Sequence, residues 1–248
     1  MDIGYITDFG KVRTENQDRY LVLEKRESSG DTVLCVVADG MGGMGDGSLA
    51  SELIVRRLQI WWQEELPELL AQQAVHGYVS QSLDVLIQES NREIRYQASL
   101  LGISTGTTLS LLFACRGQAI VKHVGDSRVY LERNGEWLQI TKDHTWAQQQ
   151  LDQGLDPRAD ANYERKKEAL VNALGACESC SVDTLALQMS NSDRYLLCSD
   201  GFYRYIDPQQ QLQARGRAQK ILDEKAKEIR KTPAIDNFTA ILAVNGKR

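Results

Sequence analysis

Val36-Val37-Ala38-Asp39-Gly40-Met41-Gly42-Gly43 is the stretch from which the rest of this chain can be read. The residues leading into it, Thr32 through Ala38, carry no charge, as expected of a strand buried on both faces. That run ends on a carboxylate. An acid at the mouth of a buried strand has to be paired, hydrogen-bonded or bound to a cation, because an isolated one is too costly to desolvate. Gly40 puts no side chain beside it, so the backbone there can approach a ligand or an ion closely. Gly42, Gly43, Gly45 and Gly47 let the chain turn before a helix. A glycine-rich hairpin with Asp39 as a simple cap would use the same residues, so the meaning of the motif depends on what the remaining chain adds.

At 248 residues with four prolines, no linker, no low-complexity tract and no internal repeat, the chain reads as one domain over 1–248. Its net charge of −5 supplies no basic stripe, so no nucleic-acid partner is expected and any phosphate must be held locally. No long apolar run and no basic, apolar leader occur, which points to a cytoplasmic protein without a membrane contact. Cys35, Cys115 and Cys198 lie in apolar runs and behave as small hydrophobes. The lone Cys177-x-x-Cys180 lacks both a second ligand pair for zinc and a thioredoxin-like context, so reduced thiols are expected.

Residues 2–9 and 19–24 read as strands around a polar loop that packs Arg13, Asn16 and Asp18 within six positions. From Gly47 the pattern becomes helical, with Leu49, Leu53, Ile54, Leu58, Trp61 and Trp62 on one face and Asp46 or Ser48 as N-cap. Pro67 restarts the chain, and a second helix is predicted over about 68–101. Strands follow at Gly106–Ala114 and Gln118–Val124, then on either side of Asn134-Gly135, a strong hairpin signal. Residues 145–170 read as a short helix plus a mobile flap carrying Arg165, Lys166 and Lys167. Further strands at Val182–Gln188, Arg194–Ser199 and Phe238–Val244 enclose a helix at about 216–231. Helices inserted between β runs predict an α+β fold, an α-β-β-α sandwich of two antiparallel sheets flanked by helices.

The apolar strand ending in Asp-Gly recurs at Leu196-Leu197-Cys198-Ser199-Asp200-Gly201, and Asp236 stands directly before the last strand. Converging carboxylates repel one another unless cations intervene. An all-oxygen ligand set favours magnesium or manganese over zinc. Two divalent cations against three carboxylates leave about one positive charge, which attracts phosphate, and such a pair makes hydroxide available near neutral pH. Arg13 has the planar fork that grips two phosphate oxygens at once.

With Arg13-Thr14-Glu15-Asn16-Gln17-Asp18, Ala38 to Gly43, Gly106-Thr107-Thr108, Gly125-Asp126-Ser127-Arg128, Leu170 to Gly175, Cys198 to Gly201 and Asp236-Asn237-Phe238-Thr239 in order, the chain resembles the metal-dependent protein phosphatases of type 2C, in particular their short single-domain bacterial members. The resemblance implies dephosphorylation of phosphoserine and phosphothreonine by metal-activated water, on phosphorylated protein substrates and in opposition to a serine/threonine kinase, by a monomer. It carries over Asp39, Asp200 and Asp236 as ligands of two Mn2+ or Mg2+ ions, with Asp39 bridging and the Gly40 carbonyl on the second. Arg13 is then the phosphate-binding residue, Asp18 orients the attacking water, and Asp126 with Asp200 can hold a weaker third metal.

Some residues depart from the family pattern. Met44, Asp46 and Ser48 replace the His, Gly and Glu with which bacterial members often continue the glycine stretch. Met41 stands where many eukaryotic relatives carry a histidine proposed as the leaving-group acid. His144 is then the alternative acid, against a purely structural role in its loop. Two other functions are alternatives: a catalytically silent phosphoprotein sensor, which would be expected to lose a metal acid although all three are present, and a hydrolase of small phosphoesters or phosphodiesters, since the site recognises phosphate rather than the group carrying it.

Overall fold

The computed structural model describes residues 1–26, 30–42 and 47–246. Two strands, β1 (Asp2–Asp8) and β2 (Arg19–Lys25), flank the Arg13 loop, and the uncharged run is β3 (Thr32–Ala38). The glycines after Asp39 do not simply turn: Gly40–Gly42 is a short strand, β4. Helices α1 (Gly47–Glu64), α2 (Leu66–Leu70) and α3 (Val75–Leu101) follow, then β5 (Thr105–Thr107), β6 (Leu109–Cys115), β7 (Gln118–Val124), β8 (Arg128–Arg133) and β9 (Glu136–Gln139). The segment 145–170 holds α4 (Trp146–Asp152), a 3-10 turn (Pro157–Ala159) and α5 (Tyr163–Lys166). The chain ends with β10 (Asp183–Gln188), β11 (Arg194–Cys198), α6 (Asp200–Tyr203), α7 (Pro208–Gln211), α8 (Ala218–Ile229) and β12 (Phe238–Val244).

One sheet runs β10-β7-β6-β3-β2 and the other β1-β12-β11-β8-β9, every pairing antiparallel. All seven residues of β3 are buried because it serves two cores at once. Val33, Cys35 and Val37 meet Tyr195, Leu197, Ile241 and Ala243 of the facing sheet. Leu34, Val36 and Ala38 point the other way, onto Ile54, Leu58, Trp61, Val79 and Leu83 of α1 and α3. On the far side, Leu196, Ala240 and Leu242 pack against Ile221, Leu222 and Ile229 of α8. Strand alternation across two apolar layers is thus the reason for the unbroken hydrophobic run. The architecture is the expected α-β-β-α sandwich.

Four local readings are corrected. The buried face of α1 is Ala50, Ile54, Leu58 and Trp61, joined by Ser48 and Ser51, while Leu49 and Leu53 are only half-buried. Ser51 turns inward because its hydroxyl donates to the Gln17 carbonyl at 2.7 Å. The expected 68–101 helix is two, since the five-residue step from Leu70 to Val75 breaks the helical period and a turn resets the buried face. The strand 106–114 is broken at Thr108, whose N–H donates to the Asp39 carbonyl and whose Oγ1 accepts from the Asp39 N–H, both at 2.9 Å. The basic cluster of 145–170 is largely neutralised, with Lys166 on Asp160 at 2.7 Å and Lys167 on Glu164 at 2.8 Å. Asp46 as N-cap, and Gly43, Met44 and Gly45, lie outside the described residues.

The Asn134-Gly135 hairpin is as read: φ is 57° and 89°, the double left-handed conformation of a two-residue I′ turn. Among the described residues no helix is long and apolar enough to cross a membrane.

Candidate active site

Strand register gathers the acids. Arg19 pairs with Ala38, so Asp18 and Asp39 are next in line on neighbouring strands. Arg128 pairs with Cys198, and continuing that antiparallel register by two residues sets Asp126 against Asp200. Asp8 pairs with Phe238, so Asp236 enters beside Gly10 at the same end of the sandwich. Two glycines allow the close approach: a Cβ on Gly10, at φ +74°, would run into the Asp236 carbonyl, and one on Gly201 would strike the Asn237 carbonyl. The Gly40 Cβ would collide with the carbonyls of Gly47 and Gln17, so backbone packing alone already requires glycine there.

Side chains the sequence left without a role pin these positions. Thr107 Oγ1 donates to the Asp39 carbonyl at 3.0 Å, and Thr108 Oγ1 pairs with Ser127 Oγ at 2.6 Å, joining the Asp39 and Asp126 turns. Asn237 accepts from the Gln17 N–H at 2.9 Å and donates to the carbonyls of Glu15 and Phe9, which fixes the Arg13 loop. Ser199 Oγ donates to Asp18 Oδ2 at 2.8 Å. Arg128 makes a bidentate contact with Asp143 and lies 3.7 Å over the Tyr203 ring, holding the start of β8. None of these is legible from spacing, since each joins residues far apart in the chain.

The electrostatics of the cluster are those of acids short of positive charge. Burial, then the charges of Asp18, Asp200, Asp126 and Asp236, hold Asp39 well above the ordinary carboxylate range, although part of its surface still meets solvent. Burial pushes Asp18 up to about 6 against the hydroxyls of Thr239 and Ser199, which pull it down. Asp126 rises to about 7, through burial and then Asp200 and Asp143. Burial raises Asp200 too, partly offset by Arg204. Each of these shifts says that a proton, or another positive charge, is favoured there.

Two acids already hold such a charge. Arg13 Nε and Nη2 each donate to one oxygen of Asp236 at 2.9 Å, and Arg204 Nη2 donates to Asp200 Oδ2 at 2.8 Å. With those carboxylates turned onto arginines, no group of three or more His, Cys, Asp or Glu among the described residues forms a ready metal cage. The donor set nevertheless suits hard divalent cations, being oxygen only and carrying more negative charge than the two arginines offset. The expected site residues Arg13, Asp18, Asp39, Gly40, Asp126, Asp200 and Asp236 are all brought to this end of the molecule. Arg204 is the residue that sequence reading missed; its signal was the i, i+4 spacing from Asp200.

His144 takes a structural position. Its Nδ1 accepts from the Gly125 N–H at 3.1 Å and from Asn172 at 2.8 Å, and its Nε2 faces Asp183 at 3.3 Å. Nδ1 therefore holds the turn before Asp126, and Nε2 is committed to Asp183 at the start of β10. Cys180 is buried and its thiol is pushed up to about 12, first by burial and then by Cys177, so Cys180 carries no reactive thiolate.

A family model described as Protein phosphatase 2C matches residues 11–242. The chain belongs to the protein phosphatase 2C family. Among its relatives, the serine/threonine phosphatase stp of Listeria monocytogenes is 34% identical over 228 residues, 91% of this chain and 87% of that protein. Protein phosphatase PhpP of Streptococcus pneumoniae is 31% identical over 83% of this chain and 80% of its own. The solved serine/threonine phosphatase PstP/Ppp of Mycobacterium tuberculosis superposes with a TM-score of 0.80 at 27% identity, covering 99% of this chain and 98% of that one. A structure of the PstP catalytic domain in complex with two manganese ions matches with a TM-score of 0.79 at 26% identity, covering 99% and 98%. Within a protein phosphatase 2C frame, the strand-end acids and the Arg13 fork occupy one continuous patch.

Proposed function

We propose that this protein is a metal-dependent protein serine/threonine phosphatase, a single catalytic domain over 1–248 that removes phosphate from phosphoserine and phosphothreonine in proteins. The observation that carries the reading is the meeting of five carboxylates, Asp18, Asp39, Asp126, Asp200 and Asp236, at one end of the sandwich with a forked arginine on their rim.

Asp39, Asp200 and Asp236, with the Gly40 carbonyl, would hold two Mn2+ or Mg2+ ions, and Asp126 with Asp200 a weaker third. When bound, a pair of divalent cations supplies charge neutralisation for the phosphoryl oxygens and hydroxide near neutral pH. Arg13 orients the substrate: the two-point grip it makes on the Asp236 carboxylate is the grip a phosphate offers, and its exposed position lets it turn outward to one. Asp18, buried and held by Ser199, sits beside Asp39 to orient the attacking water. His144 is already spent on its loop, so the leaving alkoxide takes its proton from solvent or departs unassisted by histidine.

A silent phosphoprotein sensor is the weaker reading, since no acid of the set has been lost. The enzyme would act on phosphorylated proteins against a serine/threonine kinase, as a monomer in the cytoplasm. Phosphate release from matched phosphothreonine and phosphotyrosine peptides, with Mn2+ and with a chelator, tests the activity. Release from phosphothreonine only with metal is expected; equal rates on both peptides, or turnover in chelator, would overturn the reading.

A further inference from the structure

Arg204 touches two carboxylates with one nitrogen. Its Nη2 donates to Asp200 Oδ2 at 2.8 Å and to Glu168 Oε2 at 2.9 Å. Asp200 opens α6 at the acid cluster, whereas Glu168 belongs to the 145–170 segment, near its root, where the Trp146 N–H donates to the Ala169 carbonyl at 2.8 Å. Exposure rises along the chain of contacts, from Asp200 at 17% through Arg204 at 37% to Glu168 at 58%. The guanidinium is thus a cation shared between a half-buried acid of the candidate site and the outer segment. A positive charge arriving at the acids would repel it towards the more exposed Glu168.

We propose that Arg204 is a positioning residue that couples cation binding at Asp200 to docking of the 145–170 segment through Glu168. The inference rests on the reading of Asp200 as a cation ligand. A cation at the acids repels Arg204 and satisfies Asp200, which leaves the guanidinium to Glu168 and tightens the segment. Linkage requires the converse: Glu168, by drawing Arg204 away from Asp200, eases cation binding. Removing Arg204 should then strengthen cation binding and removing Glu168 should weaken it. Loss of a nearby charge alone would shift affinity in the same senses but would leave the response of the segment to the cation unchanged, so exchange of the segment separates the two.

The test is calorimetric titration of the full chain with Mn2+, for wild type, Arg204→Gln, Glu168→Gln and Glu164→Gln, beside hydrogen exchange of the peptides covering 146–170. Glu164 is the control because it is a carboxylate of the same segment that pairs with Lys167 and not with Arg204. A partly exposed pair of this kind is expected to change the Mn2+ Kd roughly 1.5-fold to fivefold, lower for Arg204→Gln and higher for Glu168→Gln, with Glu164→Gln near wild type. Mn2+ should slow exchange of the segment in wild type and leave it unchanged in Glu168→Gln and Arg204→Gln. Shifts of the two variants in the same direction, an equal shift in Glu164→Gln, or slowing by Mn2+ that survives in Glu168→Gln would overturn the coupling while leaving the metal reading intact. Failure of wild type to bind Mn2+ would overturn both.

Discussion

Replacing Asp126 by asparagine should stabilise the protein in chelator, and by an amount that grows with pH. Burial and the neighbouring Asp200 and Asp143 push the Asp126 carboxyl up to about 7, against about 3.9 in an unfolded chain. The sign follows from proton counts. Between those two values the folded protein binds the proton that the unfolded chain has lost, so stability falls as pH rises towards and through 7. Asparagine carries no titrating proton and escapes that loss. Evaluating the linkage at about pH 5 and pH 8 gives a difference between variant and wild type that widens by about 2.5 kcal/mol. For a chain of this length that is roughly 5–10 °C in Tm.

The comparison reads Asp126 together with the acids it faces. His123, which burial lowers to about 4, loses stability on the acid side of the same range, but both proteins carry it and it cancels; Asp39 and Asp200, which face Asp126, lose part of their upward shift in the variant and widen the gap in the same direction. Thermal melts in chelator at several pH values between 5 and 8 measure the gap. A gap that stays constant with pH would show that Asp126 does not titrate in this window, and the electrostatic description of the cluster would fail with it.

Asp39→Asn and Asp200→Asn should each abolish turnover with Mn2+ in excess while the fold survives a thermal melt in chelator, because each removes charge that the cluster holds at a cost; near-normal turnover in both would sink the two-metal assignment. Arg13→Ala should raise KM for phosphopeptides by roughly 10- to 100-fold with a smaller effect on kcat, and Arg13→Lys should recover only part, since a point charge cannot hold two oxygens in one plane. A pure loss of kcat would remove Arg13 from substrate binding. In the 145–170 segment, Lys166 and Lys167 are already paired with Asp160 and Glu164, so Arg165→Ala should account for most of any charge effect on acidic phosphoprotein substrates, and Lys166→Ala for little; steady-state rates on an acidic phosphoprotein and on a small aryl phosphate, compared at low and high salt, separate the two.

How much of this was legible in the chain follows from the range of each signal. Strand β3 reads correctly from Thr32 to Ala38 because burial on both faces leaves an uncharged run, and the β8–β9 hairpin because Asn134-Gly135 meets a local demand for positive φ. The phase of α1 does not, since Ser51 turns inward to hold the Gln17 loop, a partner thirty-odd positions away that no periodicity contains. The three strand-end acids are conspicuous for a related reason, being charges where a pattern of burial forbids them.

What holds those acids in place is a different matter. Asn237 on the Arg13 loop, Thr107 and Thr108 on Asp39, and Ser199 on Asp18 are short polar side chains, ordinary in any turn, whose partners lie on other strands. Arg204 is the instructive case. Its spacing from Asp200 is visible in the sequence, yet i, i+4 pairs are common on helix surfaces and contribute only a few tenths of a kcal/mol. Its meaning comes from Glu168, thirty-six residues earlier, which the fold alone brings to the same nitrogen. The acids of the candidate site are therefore announced locally by the cost of burying them. The residues that set their geometry and govern their charge become visible only when the strands are in register.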